Sequence, residues 1–514
     1  MNVSSKLCLF QGCSIAGIVV GLQFIITGIF LLLQHENLLE SSETLDSNTK
    51  MTVDMFKQPK EKSFLKFYFF NLTNPDEVTE HGAKPIFNEI GPYSYRIVRE
   101  RENIHFLDNG DRVWFEQRTW YYFNREKSIG SDLDTFTNVD LVAYKAVKSA
   151  NDVGAASLIR EILVTMKRDK PFKRYTIRDL LFGHHDELLK EASEKVGVKL
   201  PHSNFGLFIV RTSGKSRNGS VNENFVLDTD QEHSDNYQNV LQYNGLDNFN
   251  QVWPNVSPNY QQLRGRLGYN FASKITTESK LELFSGETCS YQTFQYSDQF
   301  VQDGMLKFRF EMDLDDWRDS TGNLNKAMCD NKNSADDPIK CGQKGVLNVK
   351  TCKKNSWFMS LPHFYSADPY YLNLVEGLQP NEEKHQSIIE IYPSNGLVSK
   401  LTRRFQINVP FYQMSDIPNY ENLPKFTMMP ITWFVMDSEI HQQIRESFHS
   451  TVHKSFLKLG ITCHIVLAIG FFIFLISICA FFCSKRYCGP SPTGNRALGL
   501  PKVKHEMAPL KTHF

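Results

Sequence analysis

Two uninterrupted apolar runs bracket the chain. From Leu459 to Phe482 it reads LGITCHIVLAIGFFIFLISICAFF, without one Asp, Glu, Lys or Arg. At about 1.5 Å rise per residue this makes a helix of roughly 36 Å, enough to cross a hydrocarbon core of about 30 Å with some tilt. It has no polar face, which argues against a core helix of a soluble protein. Leu7 to Leu33 repeats the pattern near the other end. That run exceeds the apolar core of a cleaved signal, and no small-x-small site precedes Gln34-His35-Glu36, so it reads as a retained anchor. Lys6 lies on one side of the first span, and Glu36, Glu40, Glu43 and Asp46 on the other. The tail holds Lys485, Arg486, Arg496, Lys502, Lys504 and Lys511 against Glu506. The positive-inside rule then predicts a cytosolic 1–6, a span over 7–33, an exoplasmic ectodomain over 34–458, a second span over 459–482 and a cytosolic tail over 483–514.

Between the spans the polarity period changes twice. Lys66 to Asn74 reads as a buried strand ending in a turn at Asn74-Pro75. A long strand then runs toward His105, Asp108-Asn109-Gly110 turns the chain, and Val113 to Phe123 returns, a hairpin pattern. From Val139 the period becomes helical: Val139–Ala150, Ala155–Met166, a short helix capped by Thr176 and Gly183, and a further helix over His184–Lys195. This predicts a helical head over about 139–195. Strand patterns resume at Phe205–Arg211, Asn224–Asp228, Leu281–Phe284, Tyr291–Tyr296, Met305–Met312, Val346–Val349, Trp357–Leu361, Ile388–Tyr392, Leu397–Val409 and Phe426–Val435. Strands on both sides of the helical insertion argue for one β-rich body of α+β class.

Composition adds compartment more than chemistry. Lys plus Arg and Asp plus Glu balance at 57 each, so no global attraction to nucleic acid is implied. Of ten cysteines, only Cys289, Cys329, Cys341 and Cys352 fall between the spans, where oxidising conditions favour disulfides. Four cysteines allow three pairings, and spacing does not select one. Cys8, Cys13, Cys483 and Cys488 lie in or beside the spans and are palmitoylation candidates. Asn71, Asn218 and Asn255 begin glycosylation sequons on the exoplasmic side.

Specific words in the sequence carry a resemblance. Ser360-Leu-Pro-His-Phe with Ala367-Asp-Pro369, Glu376-Gly-Leu-x-Pro380 with Glu382-Glu-x-His385, and Gln406-Ile-Asn-Val409 are similar to motifs of the class B scavenger receptor family, which includes fatty-acid and lipoprotein receptors and a lysosomal integral membrane protein. Phe69-Phe-Asn-x-Thr-Asn-Pro75, Glu89-Ile-Gly-Pro-Tyr-x-Tyr95, Arg178-Asp-Leu-Leu-Phe-Gly183 and Pro430-Ile-Thr-Trp433 extend the likeness, in order, over nearly the whole chain. The resemblance implies an antiparallel β-barrel-like ectodomain with an apical helical bundle and a lipid tunnel, anchored by two transmembrane helices. It also implies a pairing of Cys289 with Cys352, with Cys329–Cys341 nested inside. A third bridge of some members is not expected, because no ectodomain cysteine precedes Cys289, and residues 254–275 depart from the family pattern.

The candidate ligand site is the basic run Lys167, Arg168, Lys170, Lys173 and Arg174, flanked by Arg160 and Arg178. In the family this region resembles a cationic, ligand-facing surface. Its partners would be lipoproteins, apoptotic-cell phospholipids or other anionic lipid, with a protein ligand at the head as a second option. Glu161, Asp169 and Asp179 dilute the charge and favour an ordinary solvated helix end. His363 with Ser366 and Asp368 invites a hydrolase reading, but no nucleophile elbow or oxyanion loop accompanies them, and His363 is expected to be a packed structural residue. His184-His185-Asp186-Glu187 places its histidines in different directions on a helix, a poor metal site. No enzyme activity, metal or cofactor is expected. The function expected is a cell-surface scavenger or lipid receptor that binds lipoproteins, anionic phospholipids or fatty acids and aids lipid uptake through an ectodomain tunnel. The alternative is a lysosomal membrane protein that sorts a luminal enzyme or exports lipid. Glu506-Met-Ala-Pro-Leu510-Lys511 resembles the family's lysosomal sorting signal, but Lys511 replaces its second apolar residue, which favours the plasma membrane.

Overall fold

The computed structural model describes residues 3–41, 56–57, 61–152, 154, 156–196, 204–208, 221–229, 238–252, 261–271, 275–302, 305–314, 344–349, 352, 357–394, 396–415, 417–440 and 454–487. The chain divides into two compact units, Met1–Leu38 with His449–Phe514, and Leu39–Phe448.

The first unit holds the two apolar helices, α1 (Val3–Ser41) and α6 (Lys454–Tyr487). Their membrane-length windows are Cys13–Leu33 and Lys458–Cys483. The helices pack closely because glycine stands at the contact. A Cβ on Gly21 would come 2.8 Å from the Phe474 backbone nitrogen. Cys13 and Cys483 are exposed free thiols; the Cys8 side chain and Cys488 lie outside the described residues.

The second unit is built on one antiparallel sheet. Its strands are β1 (Glu61–Leu72), β2 (Phe87–Leu107), β3 (Arg112–Asn124), β8 (Val221–Asp228), β9 (Val240–Tyr243), β10 (Lys280–Ser285), β11 (Ser290–Gln302), β12 (Met305–Met312), β13 (Val346–Asn348), β14 (Phe358–Ser360), β15 (Ile388–Ile391), β16 (Val398–Tyr412) and β17 (Phe426–Ile440). They run in the order β10-β11-β12-β15-β16-β17-β1-β2-β3-β8-β9, with β14 bonded to β16 and β13 to β14. The two outer strands are joined by the segment around Arg266. Val240 N–H donates to Gly265 O, and Phe284 N–H to Arg266 O, so the sheet is nearly closed. Gly265 permits this seam: its φ is +90°, and a Cβ there would sit 2.7 Å from Phe284 N.

β1 shows why this sequence makes the wall. Leu65, Phe67 and Phe69 alternate onto the inner face and are buried. On the other face, Lys66 pairs with Asp437 at 3.0 Å, and Tyr68 stacks on Trp433 at 3.9 Å. The hairpin predicted at Asp108-Asn109-Gly110 is present, with Leu107 opposite Arg112.

The helical head contains α2 (Leu141–Asp152), α3 (Ala156–Thr165), α4 (Ile177–Phe182) and α5 (Glu187–Val196). Thr176 caps α4, its hydroxyl accepting from Asp179 N–H, as the sequence predicts. Two features differ from the prediction. The head carries its own ribbon, β4 (Thr135–Val139) with β5 (Phe172–Thr176), so Lys173 and Arg174 lie on a strand. His184 and His185 form a short extended piece, β6, pairing with β7 (Asn204–Phe205) rather than opening a helix. The cause is Asp186, whose carboxylate accepts from Leu188 N–H and so starts α5 after the histidines. The head is fastened to the end of the sheet where β1 finishes and β17 begins. Asn138 donates to Phe70 O and Pro430 O, and Tyr144 to Pro410 O.

Cys289 and Cys352 are disulfide-bonded, as the family pairing implies. Cys329, Cys341, Asn218 and Asn255 lie outside the described residues. Asn71 is half-buried and its side-chain oxygen accepts from Thr137 N–H, which leaves its amide nitrogen as the atom for a glycan.

Candidate functional site: a cationic head and a cavity in the sheet

The basic run of the head divides into inward and outward groups. α3 ends with Lys167 in a left-handed conformation (φ 54°), and the chain turns back so that Arg168 N–H donates to Leu163 O. This reversal sends the Arg168 side chain into the head. Its guanidinium forks onto Asp140 (Nε to Oδ2, 3.0 Å; Nη2 to Oδ1, 2.6 Å) and reaches Asp186 Oδ1 at 2.5 Å. Asp140 also accepts from Ala143 N–H at the start of α2. One cation therefore clamps the acidic residues that begin α2 and α5. Burial alone would raise the Asp186 pKa, but hydrogen bonds from His184 and Arg168 and the charges of Arg168 and Lys173 hold it well below the usual carboxylate range. Lys173 leans the same way, its Nζ 3.7 Å from Asp186 Oδ2 and 3.4 Å from His184 Nε2.

The outward charges are Lys167, Lys170 and Arg174, with Arg160 and Arg178 beside them. Arg178 is tied to Asp132 at 2.8 Å. Lys170 stands 3.8 Å from Asp76, both well solvated, a pair worth little. Arg174 donates to Thr135 Oγ1 at 2.7 Å. Sequence alone treats the five basic residues as equivalent; the fold makes Arg168 a structural clamp, turns Lys173 toward Asp186 and leaves Lys167, Lys170 and Arg174 exposed.

Inside the nearly closed sheet lies a cavity of about 240 Å³. β2 contributes Ile97 and Arg99, β3 Gln117, Thr119 and Tyr121, and β16 and β17 Leu401, Arg403, Met436 and Ser438. Phe208, Phe225, Leu267, Tyr269, Phe284, Glu223 and Glu287 complete the wall. The lining thus mixes apolar with polar groups. Arg403 pairs with Glu287 at 2.9 Å, and Tyr243 O–H donates to Glu223 at 2.7 Å. Burial raises the Tyr121 pKa; Arg99 opposes this, while Glu223 and Glu287 reinforce it. Beside the cavity, Arg101 is buried with its guanidinium carbon 4.2 Å from the centroid of the Phe56 ring and 4.8 Å from that of Tyr269.

Sequence reading misses this lining, although a signal exists. On β2 and β3 the inward phase is marked by Tyr93, Tyr95 and Ile97, and by Val113 and Phe115. Arg99, Arg101, Gln117 and Thr119 continue that same phase. Polar residues at apolar positions of a strand point to an interior that is not simply packed.

His363 is packed, as expected. Its Nε2 lies 2.5 Å from Glu89 Oε2, its Nδ1 accepts from Gln379 N–H, and its ring stacks on His385 at 4.6 Å. Trp433 Nε1–H donates to the same Glu89 oxygen at 2.6 Å. Glu89, His363, His385 and Trp433 come from four of the recognised sequence words, which this cluster joins in space. Asp368 accepts from Tyr370 N–H as a helix cap.

A nearly closed antiparallel sheet around a cavity, in a chain with two apolar helices of membrane length, defines a membrane protein with a barrel-like body between its spans in sequence. The chain belongs to the CD36 family, whose family model matches residues 12–481. It is 26% identical over 471 residues to Lysosome membrane protein 2 of Mus musculus, covering 89% of this chain and 92% of that protein. It is 27% identical over 477 residues to Scavenger receptor class B member 1 of Bos taurus, covering 91% and 89%.

Proposed function

We propose that this protein is a receptor that takes lipid from particles or membranes and passes it through its barrel, without catalysing a reaction. The observation that carries this reading is the open cavity lined by residues of β2, β3, β8, β16 and β17. Transfer of a 16-carbon chain through water exposes apolar surface worth on the order of 12 kcal/mol at about 0.8 per methylene, and the apolar part of the cavity wall would lower that barrier. The outward cations Lys167, Lys170 and Arg174 would hold an anionic phospholipid surface or lipoprotein while lipid is exchanged. Likeness to Scavenger receptor class B member 1 supports placement at the cell surface, with both termini cytosolic by the positive-inside rule.

Likeness of similar extent to Lysosome membrane protein 2 supports the second reading, a lysosomal membrane protein handling lipid or a luminal partner. Cells expressing the full chain, with uptake of labelled lipoprotein lipid and the site of the protein both followed, test the proposal. Uptake at the cell surface that falls when the cavity is filled by Thr119→Trp supports the receptor. Unchanged uptake with the cavity filled removes it. Residence in lysosomes that is lost on deleting the last ten residues favours the second reading.

A further inference from the structure

We propose that the β11–β12 hairpin rests an open apolar face on the bilayer crossed by α1 and α6, giving the barrel unit a lipid contact beyond its two links to the spans. The occupant is the glycerol and upper acyl region of the leaflet next to that unit, and the inference stands whether or not lipid moves through the barrel. Placement is its first ground. Glu61, where β1 begins, lies opposite Ile440, where β17 ends. Across the sheet from there, Glu439 faces Lys400, Val398 faces Ile391 and Ile391 faces Phe308. The last pairs of the hairpin, Val301 with Leu306 and Gln302 with Met305, therefore lie at that same end. It is also the end from which the chain runs to the spans: α1 ends at Ser41 before β1, and α6 begins at Lys454 after β17.

An apolar phase that outruns its cover is the second ground. On β12, Leu306 shares the alternation of Phe308 and Phe310, both buried. β15 pairs with β12 only over Phe308–Glu311, so Leu306 continues the core face past the strand that covers it. Leu306 is 45% exposed, and Val301 directly opposite is 69% exposed, the most open large apolar side chain among the described residues outside the spans. Single surface hydrophobics are ordinary, but these two form one cross-strand pair. The third ground is the opposite face of the hairpin, which is polar. There Gln302 and Lys307 line a pocket of about 130 Å³ with Tyr392, Lys400 and Glu439. Lys307 donates to Gln302 Oε1 at 2.9 Å, and its Nζ lies 5.0 Å from the centroid of the Tyr392 ring. Apolar groups on one face with Lys and Tyr on the other is the composition that settles at a membrane interface, the polar ends at headgroup depth.

The test uses the full chain in phosphatidylcholine nanodiscs that contain a phosphatidylcholine with a diazirine on a shallow acyl carbon, irradiated and mapped by mass spectrometry. Ile129 and Leu133, each 57% exposed, supply an internal reference at the other end of the sheet, where Ile129 N–H donates to Pro92 O. Adducts at Val301 and Leu306 are expected several-fold above those at Ile129 and Leu133. Val301→Asn with Leu306→Asn changes only exposed side chains and leaves Phe308 and Phe310 in place, so the double variant should fold and its hairpin adducts should fall to the reference level. Hairpin adducts no higher than the reference in wild type, or unmoved in the double variant, overturn the inference. A hairpin covered instead by a second copy of the chain would give no lipid adducts and a dimer that the double variant dissociates, which overturns it equally.

Discussion

Replacing Arg168 by Met separates a structural cation from a ligand-binding one. The guanidinium touches Asp140 and Asp186, whose side chains are 3% and 1% exposed, and is itself 18% exposed. Removing one partner of such a buried pair costs about 3–5 kcal/mol, because it strands the opposite charge. Asp186 keeps Lys173 at 3.7 Å and His184 at 3.4 Å, so the low end of that range applies to it; Asp140 keeps its N–H contact to Ala143. A loss of about 3 kcal/mol in a locally opening unit speeds amide exchange by roughly 100-fold. The increase should be concentrated at the starts of α2 and α5, at Ala143, Leu188 and Leu189, and be read by hydrogen–deuterium exchange. Arg168→Lys retains charge but not the fork and should give a smaller acceleration. Because the Asp186 pKa is lowered on folding, its stabilisation is present above the ordinary carboxylate range and disappears as pH falls below it. Wild-type protection at these amides should therefore hold through mildly acidic pH. Unchanged exchange in Arg168→Met, with binding to anionic lipid lost, would refute the clamp and return Arg168 to the ligand surface.

Other predictions address separate parts of the fold. Neutralisation of Lys167, Lys170 and Arg174 together to Gln should weaken binding to phosphatidylserine vesicles by roughly 100-fold at low ionic strength, at about 1 kcal/mol per cation, and less in high salt, without changing thermal stability. His385, whose pKa is pushed down to about 3 chiefly by burial and also by His363, is neutral in the fold, so stability should fall as pH drops below about 6.5. The expected loss is about 2 kcal/mol by pH 5, by denaturant titration, and His385→Phe should flatten that dependence. Glu89→Ala should cost about 1–3 kcal/mol in the same assay by leaving His363 and Trp433 donors unpaired. Cys352→Ser, opening a bridge between residues 63 apart, should destabilise the barrel unit by about 4 kcal/mol on the loop-entropy argument, seen as a lowered denaturation midpoint.

Much of the scaffold is legible in the sequence because its local signals agree. The Asp108-Asn109-Gly110 hairpin, the Thr176 cap and the strand at Met305–Met312 need only turn chemistry, capping and alternation, and all three are present. β4 and β5 are not legible, since five-residue strands beside helices leave too short a pattern. The helical reading of His184 and His185 fails because the start of α5 is set by Asp186 and its tie to Arg168, residues that meet only in the folded head. The cavity wall is assembled from β2, β3, β8, β16 and β17, and no one-dimensional pattern reports which polar residues of distant strands share an interior. The division of the basic run has the same origin: Asp140 lies 28 residues from Arg168.

Photolabelling tests the central claim most directly. Cells expressing the full chain would be given lipoprotein loaded with a diazirine-bearing lipid, irradiated, and the labelled residues mapped by mass spectrometry. Lipid transfer through the barrel predicts adducts on the cavity wall, at Tyr121, Phe225, Leu401 or Met436, that disappear in Thr119→Trp while surface abundance is unchanged. Adducts confined to the outer surface, or cavity-independent uptake in Thr119→Trp, would contradict it.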